Sequence, residues 1–352
     1  MKKILIPTVL CTALLPSATT LWAQSTADST DRLSLSYRMA FNLGVKFNSV
    51  AGFAAQTDPG SASGGRDPRH YDDGYNLVDN NNNTYPGYDP LTRNWSYQSP
   101  DQVLNGQFIV MHSSAAAPVA ATSTADGDPS HGFEIAYQHE FARNDAWSWG
   151  VEACFNYMKV CVGDSLAYSA PVSRINDAFE VPADSESGFR YIPSAPYAGG
   201  NFGGPLLGSA PTRSTTLIPN GAAIISRHDF DADLFGFKLG AYLDIPLDEK
   251  WRLTFSGGLA LVQVDSTFNY RDVVSIPDVG SQTYVGRSSH DTLLVGGYIT
   301  GAVSYALDKD WTLFANAQWQ DVGLYTHAVG TASAQLDLSQ TIFVAFGATW
   351  SF

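Results

Sequence analysis

The chain of 352 residues has few charged side chains, few cysteines and, beyond its N-terminus, no long apolar run. Charged residues make up 15%, against roughly 25% in a typical soluble domain. Three cysteines are too few for a small disulfide-stapled domain, and without a run of ~18 apolar residues no membrane-spanning helix is predicted. Only 20 basic residues stand against 34 acidic ones, a net charge of -14, so a nucleic-acid partner is not expected.

The residues that are abundant are apolar, aromatic or turn-forming. Apolar residues reach 44%, with 17 Tyr, 19 Phe and 8 Trp, and there are 31 Gly and 18 Pro. An apolar fraction of this size is enough to bury a core, which excludes a disordered chain. This composition is typical of a β protein with many turns.

The N-terminal segment has the layout of a secretory signal peptide. Lys2 and Lys3 form a basic start, an apolar stretch follows over residues 4–15, and small residues lead to a cleavage point after Ala23. The sequence therefore predicts a signal peptide over residues 1–23 and a short periplasmic segment over residues 24–31.

Regular alternation of apolar and polar residues is the strongest signal in the rest of the chain. It is clearest from Leu33 to Phe47, where every second residue is apolar over fifteen positions. Seven further segments show it: 133–141, 147–157, 235–245, 251–261, 293–307, 311–319 and 342–352. A period of two residues predicts β-strands with one apolar face, here eight of them.

The connections between these segments alternate between short and long. Three are short, polar and followed almost at once by tryptophan, at residues 143–145, 247–250 and 308–310. The other four cover residues 48–131, 163–230, 266–290 and 321–335. Short turns on one side and long loops on the other predict an all-β fold, a closed antiparallel transmembrane barrel of eight strands over residues 32–352. Strand-like pieces inside the loops, such as residues 107–111, leave ten strands open.

The C-terminal strand carries a resemblance to a known class. It ends Ala348-Thr349-Trp350-Ser351-Phe352, which resembles the assembly signal of bacterial outer-membrane barrels. Over its strands the chain resembles the small eight-stranded barrels of the OmpA-transmembrane and OmpX type. The stretches 71–75, 94–97 and 195–197 are also similar to uncharacterised outer-membrane barrels of verrucomicrobial type.

This resemblance implies a place in the outer membrane of a Gram-negative cell, with the long loops extracellular and both termini periplasmic. Outer-membrane lipids and lipopolysaccharide would surround the barrel, and the barrel assembly machinery would recognise the last strand through Phe352. The tryptophans beside the short turns would form an aromatic girdle at the membrane boundary. The predicted girdle residues are Trp147, Trp149, Trp251, Trp311 and Trp350.

Charged residues of both signs occur on the face predicted to point inward. Side chains fill the interior of an eight-stranded barrel, which favours an ion-pair network over a pore lining or a pair of catalytic carboxylates. Matching depths along the strands predict that Arg38 pairs with Glu140 or Glu152. The predicted network comprises Arg38, Lys46, Glu134, Glu140, Glu152, Lys238, Arg252 and Asp337.

Other motifs give weaker signals for chemistry. Asp79 begins a stretch like the start of a calcium loop, but Thr84 replaces the central glycine and Pro90 the final glutamate. His112 and Ser114 resemble part of the pattern of outer-membrane lipid A deacylases, yet two residues make no triad. The sequence therefore predicts no catalytic, metal-binding or cofactor-binding residue, and calcium binding near Asp79 stays open.

Three classes of function remain. The favoured one is a non-enzymatic barrel that stabilises the envelope or binds a saccharide, lipopolysaccharide or another cell through acidic loops that contain aromatic rings. The alternatives are a narrow porin-like channel and an outer-membrane lipid-modifying enzyme or protease. An enzyme of that kind would place a histidine within ~3 Å of both a serine hydroxyl and a carboxylate.

Overall fold

The computed structural model describes residues 30–62, 68–77, 91–127, 129–199 and 204–352, so the signal segment and Asp79 lie outside the described residues. Among the described residues no helix is long and apolar enough to cross a membrane. One short 3₁₀ helix, Pro100–Gln102, accompanies the strands. The strands are β1 Asp31–Phe41, β2 Gly44–Phe53, β3 Arg69–Tyr71, β4 Gly74–Leu77, β5 Leu91–Thr92, β6 Asn94–Tyr97, β7 Val103–Leu104, β8 Phe108–Asp126, β9 Ser130–Arg143, β10 Ser148–Glu180, β11 Tyr197–Ala198, β12 Leu207–Gly208, β13 Thr212–Pro246, β14 Trp251–Ile276, β15 Gly280–Ala306, β16 Trp311–Asp321, β17 Leu324–Val329, β18 Ala332–Asp337 and β19 Thr341–Ser351.

Eight antiparallel strands form a ring, as the sequence predicts. Their order is β13, β14, β15, β16, β19, β1, β9 and β10, and β10 pairs with β13 again. Each of the eight alternating segments lies in a different ring strand, although the first also extends into β2. The described chain has more than eight strands, and the others lie beyond one end of the ring.

The three short connections lie at the other end of the ring, called the base here, and share one local geometry. A side-chain oxygen of Asn144 accepts hydrogen bonds from the backbone amides of Ala146 and Trp147, each at 2.9 Å. Asp248 and Asp308 make the same pair of bonds in their own turns. An Asn or Asp side chain that accepts from amides two and three residues later replaces backbone partners in a tight turn. This geometry sets the spacing of three residues between the Asn or Asp of each turn and the tryptophan that follows it.

Four ring strands continue far beyond the ring. The strands β10, β13, β14 and β15 have 33, 35, 26 and 27 residues, whereas crossing a membrane takes about 9–11. Beyond the ring they join β2, β8, β17 and β18 in a curled sheet, called the upper sheet, with the order β15-β14-β13-β10-β8-β2-β18-β17. The segments predicted as long loops therefore contain much of this sheet.

The apolar face changes sides between the ring and the upper sheet. In the ring part of β13, Phe237 and Leu239 are exposed on the outside and Lys238 is buried inside. Further along the same strand Phe230 is buried inside and Asp231 is exposed outside. Even-numbered side chains point inward in both of these parts of β13. The strand therefore does not change its orientation, and only the polarity of the residues on each face is inverted. The ring is apolar outside and polar inside, and the upper sheet is the reverse.

The first predicted strand is interrupted, which corrects one part of the sequence interpretation. Asn42 has a φ of 63°, a left-handed conformation that asparagine tolerates better than most residues. It lies between β1 and β2 and moves the apolar residues to the other face, so Tyr37 is exposed outside and Phe47 is fully buried inside. The alternation from Leu33 to Phe47 therefore covers two strands with opposite faces.

A third unit, called the head, lies at the far end of the upper sheet and comprises residues 54–62, 68–77, 91–107, 181–199 and 204–211. Its small sheet has the order β11-β6-β4-β3, and β5 pairs with β12. Trp95 is 0% exposed at its centre, lies 5.8 Å from the ring of Tyr97 and donates from Nε1 to the carbonyl of Pro205 at 2.8 Å. The head therefore has an aromatic-rich core, which it shares with the outer ends of β8 and β10.

Candidate functional site

The charged residues inside the ring meet around one carboxylate. Glu134 pairs with Arg38 and accepts from Nζ of Lys238 at 2.9 Å, and all three side chains are buried. The Arg38 guanidinium lies 3.6 Å from the ring centre of Phe343, and Lys238 donates to Gln318 at 2.6 Å. Two cations on a single buried carboxylate give a strongly coupled group that crosses the ring interior.

Two further layers of polar contacts lie nearer the base. Glu152 accepts from the hydroxyl of Tyr298 at 2.7 Å. Asp244 lies 2.7 Å from Arg32 and 3.6 Å from Arg252. The space left between these groups is a cavity of about 80 Å³, and eight of its nineteen lining residues are serine or threonine. Side chains therefore fill most of the ring interior.

The structure gives Arg38 a different partner from the predicted ones. Arg38 lies opposite Gly132 on β9, only two residues from Glu134, whereas Glu140 is eight residues away along the same strand. Glu152 is bonded to other groups. The pairing with Glu140 or Glu152 is therefore wrong, because the register of β1 against β9 sets the depth of Arg38.

Two members of the predicted network lie outside the ring interior. Lys46 is exposed on β2, because the bend at Asn42 reverses the faces beyond it. Asp337 is exposed at the end of β18, where its carboxylate accepts from the amide of Ser339 at 2.9 Å. Both predictions are wrong, since each assumed that the alternation of a ring strand continues into the upper sheet. Among the predicted members the structure brings together Arg38, Glu134 and Lys238. Glu140 instead pairs at 2.7 Å with Arg143, which the prediction did not include.

Above the ion pairs the interior is closed by apolar side chains. The cluster lies inside the curl of the upper sheet next to the ring and includes Tyr298 and Phe343 of the ring strands. Its packing leaves Phe47, Phe230 and Phe268 almost fully buried. The larger members of the cluster are Leu43, Val45, Phe47, Met158, Phe230, Phe268, Tyr270, Tyr298, Tyr325 and Phe343.

The outer face of the ring presents the predicted tryptophans near the base. All five are exposed, and Trp311 lies directly opposite Trp350 on the neighbouring strand. The backbone amide of Phe352 donates to the carbonyl of Asp31 at 3.0 Å, so the last residue is tied to the start of β1. The five are Trp147, Trp149, Trp251, Trp311 and Trp350.

Histidine contacts bear on the enzymatic alternative. Both ring nitrogens of His327 are bonded to serine hydroxyls, to Ser266 at 2.8 Å and to Ser288 at 2.7 Å. His112 is bonded to Asp73 at 2.5 Å. Within the described ranges no histidine is hydrogen-bonded to both a serine hydroxyl and a carboxylate, and no group of three or more His, Cys, Asp or Glu residues has the geometry of a metal site.

The aromatic rings of the head divide into a buried and an exposed set. Tyr71, Trp95 and Tyr97 belong to the first of the acidic loops that the sequence analysis favours for saccharide binding, and they are buried in the head core. Phe189 and Tyr191 are 66% and 61% exposed, and sequence reasoning missed them. The only signal was the turn-forming stretch before them, Asp184 to Gly188.

Comparisons with known proteins give similarity of fold at low scores. No family model and no curated sequence matches the chain. Ail, the attachment invasion locus protein of Yersinia pestis, is 9% identical over 93% of this chain and 100% of its own, with a TM-score of 0.30. The outer-membrane protease OmpT of Escherichia coli is 12% identical over 94% and 99%, at 0.28. Neisserial surface protein A is 14% identical over 56% and 97%, at 0.22.

All three are outer-membrane β-barrel proteins. The chain resembles this class. At such identities and scores no activity or ligand of these proteins transfers to the chain.

Proposed function

We propose that the protein is a non-enzymatic barrel of the bacterial outer membrane that holds a ligand-binding head outside the cell. The observation that carries this proposal is the inversion of polarity along single strands. The ring exposes Leu35, Leu239 and Phe346 among many large apolar side chains, a surface that suits lipid and not water. The upper sheet exposes polar residues such as Asp231 and Asp265, which suits water.

The orientation follows from the same asymmetry. Outer-membrane barrels have short periplasmic turns and longer extracellular connections, so the base faces the periplasm and the head faces the medium. The exposed tryptophans near the base then lie at the periplasmic boundary, where aromatic rings favour the interface. In this orientation β19 ends at the periplasmic side, where assembly factors would meet Phe352.

The filled interior supports a structural and binding role over a channel. A continuous path would cross the layer of Arg38, Glu134 and Lys238 and then the apolar cluster above it. Ions do not cross a packed apolar layer without losing their hydration. The lipid-modifying or proteolytic alternative has no supporting triad within the part of the chain that the structure describes.

The binding surface proposed for the head is the turn that carries Phe189 and Tyr191. A carboxylate oxygen of Asp184 accepts from the amides of Glu186 and Ser187 at 3.1 and 2.8 Å, and the amide of Asp184 donates to the carbonyl of Phe189 at 2.8 Å. These bonds fix the turn before any ligand arrives. Two exposed aromatic rings on a fixed turn have the character of an interface anchor.

The charge of the head restricts the class of ligand. The described residues of the head contain six acidic and three basic residues, a net charge of -3. An acidic surface disfavours anionic ligands, which argues against polyanions such as the heparin analogue seen bound to Ail. Aromatic rings offer flat apolar faces, and carboxylates accept hydrogen bonds from hydroxyls. Neutral saccharides fit both features.

Replacing both Phe189 and Tyr191 with alanine is expected to weaken binding to neutral glycans at least about tenfold, since a truncated anchor typically costs 2 kcal/mol or more. The measurement is titration of the purified protein in detergent against immobilised neutral and sulfated glycans. Leu217 and Val285 provide matched controls, because they are 66% and 67% exposed and lie outside the head. Unchanged affinity of the double variant, or binding of sulfated glycans alone, would contradict the assignment.

A further inference from the structure

The upper sheet has two edges that no backbone ladder joins. β15 pairs with β16 only from Gly297 to Ala306, so its outer part is bonded along one side, to β14. The chain turns away after β16 at Gly323, which has a φ of 86°. β17 then pairs with β18 alone. The line between β15 and β17 is called the seam.

Side chains close this seam. His327 on β17 is bonded to Ser266 of β14 at 2.8 Å and to Ser288 of β15 at 2.7 Å. Tyr325 on β17 is bonded to Ser266 at 2.6 Å and to His290 of β15 at 3.0 Å. The seam therefore depends on five side chains, two of which are histidines.

Among the described residues no carboxylate is bonded to either histidine of the seam. The rings of His327 and His290 lie 5.7 Å apart. Asp265 and Asp291 are exposed on the outer face, since each is one residue away from an inward position. Burial lowers the pKa of His327, and the neighbouring His290 lowers it further. The groups that face His327 are Ser266 and Phe268 of β14, Ser288 and His290 of β15, Tyr325 of β17 and Ala334 of β18.

We propose that the seam is an acid-operated opening, in which protonation of His327 separates β17 and β18 from β14 and β15. Opening would expose the free edge of β15 and the apolar cluster that contains Phe230 and Phe268. An edge strand with free backbone groups can take up a further strand. This inference does not depend on the ligand of the head.

The direction of the pH dependence follows from the pKa of His327. Because that pKa is lower in the closed seam than the ordinary histidine value of about 6.5, the open seam binds a proton that the closed seam excludes. The closed seam therefore keeps its full stability above about pH 6.5 and loses stability as the pH falls below it. The loss levels off once the pH is below the lowered pKa.

Hydrogen exchange of the purified protein in detergent micelles at pH 7.5 and pH 5.0, corrected for intrinsic rates, tests this proposal. Peptides covering residues 322–338 are expected to lose protection by about tenfold or more at pH 5.0 and to regain it at pH 7.5. Peptides from residues 341–351 in the ring are expected to keep theirs. Equal protection of residues 322–338 at both pH values would overturn the proposal.

Variants separate the role of the seam from a general effect of acid. His327→Gln removes the titrating group and is expected to abolish the response. His131→Gln is the matched control, because His131 is bonded to Tyr37 on the outer face at 2.6 Å and is expected to leave the response unchanged. A full response in His327→Gln would refute the mechanism. If that variant does not assemble, His290→Gln decides. It removes the neighbour that helps to lower the pKa of His327, so the loss of protection at pH 5.0 is expected to become smaller.

Discussion

Replacing Glu134 with alanine is expected to lower the free energy of unfolding by about 3–5 kcal/mol, the cost of leaving a buried charge without its partner. Arg38 is 1% exposed and Lys238 is almost as deeply buried, and both bind this carboxylate. Its loss would leave two adjacent cations in a confined interior. Urea unfolding of the protein in micelles, followed by the shift between folded and unfolded bands on gels, measures the change.

A matched control for this substitution is Glu249→Ala. Glu249 is exposed in a base turn, so its loss is expected to change the free energy by less than about 0.5 kcal/mol. A Glu134→Ala protein that unfolds at the same urea concentration as the parent would show that the cluster around Glu134 does not hold the ring together.

Replacing Trp95 with alanine is expected to destabilise the head by about 3–5 kcal/mol, as for other fully buried tryptophans. The effect should stay local, because Trp95 packs in the cluster that the head forms with Ile109 and Phe179 at the outer ends of β8 and β10, and bonds to Pro205. Hydrogen exchange of residues 68–77 and 91–107 is expected to rise strongly, while the gel shift of the ring stays unchanged.

Tyr191→Ala is the control for this second substitution, since Tyr191 is an exposed aromatic residue of the same unit. It is expected to leave the exchange of the head unchanged. If Trp95→Ala also abolishes the folded band of the ring, the head and the ring unfold as one unit, which contradicts a head that unfolds separately.

The sequence predicts the ring well because its signals are local. Alternation along a strand and an Asn or Asp three residues before a tryptophan are set by neighbouring residues, as the turns at Asn144, Asp248 and Asp308 show. A strand that is apolar on one face must place that face against lipid or a core. Eight such segments with three tight turns leave little freedom in the order of the strands.

The upper sheet was not predictable in the same way. Its strands keep the period of two, but their apolar side chains point to the inside. Extending the ring pattern, in which apolar side chains point outward, wrongly assigns Lys46 and Asp337 to the interior. A single backbone angle at Asn42 decides the first of these cases. The partner of Arg38 depends on the register of two strands nearly a hundred residues apart in sequence, which no local pattern encodes.

The sequence does not predict the fold of the head, for a third reason. Its core draws together aromatic residues from two segments separated by the whole of β8, β9 and β10. Short strands of two to four residues show no clear alternation, so Tyr71, Trp95 and Tyr97 look like exposed loop residues in the sequence. The rings that are in fact exposed, Phe189 and Tyr191, lie in the second segment.

The inversion of polarity along β14 is tested most directly by cysteine labelling on intact cells. Single cysteines at the outward positions Phe255, Leu259, Asp265 and Arg271 would be introduced into a Cys161→Ser protein and exposed to a membrane-impermeant maleimide. Lipid covering the ring predicts labelling at 265 and 271 and none at 255 and 259. Equal labelling at all four positions, or labelling at 255 and 259 alone, would contradict a membrane-spanning ring with its upper sheet outside the cell.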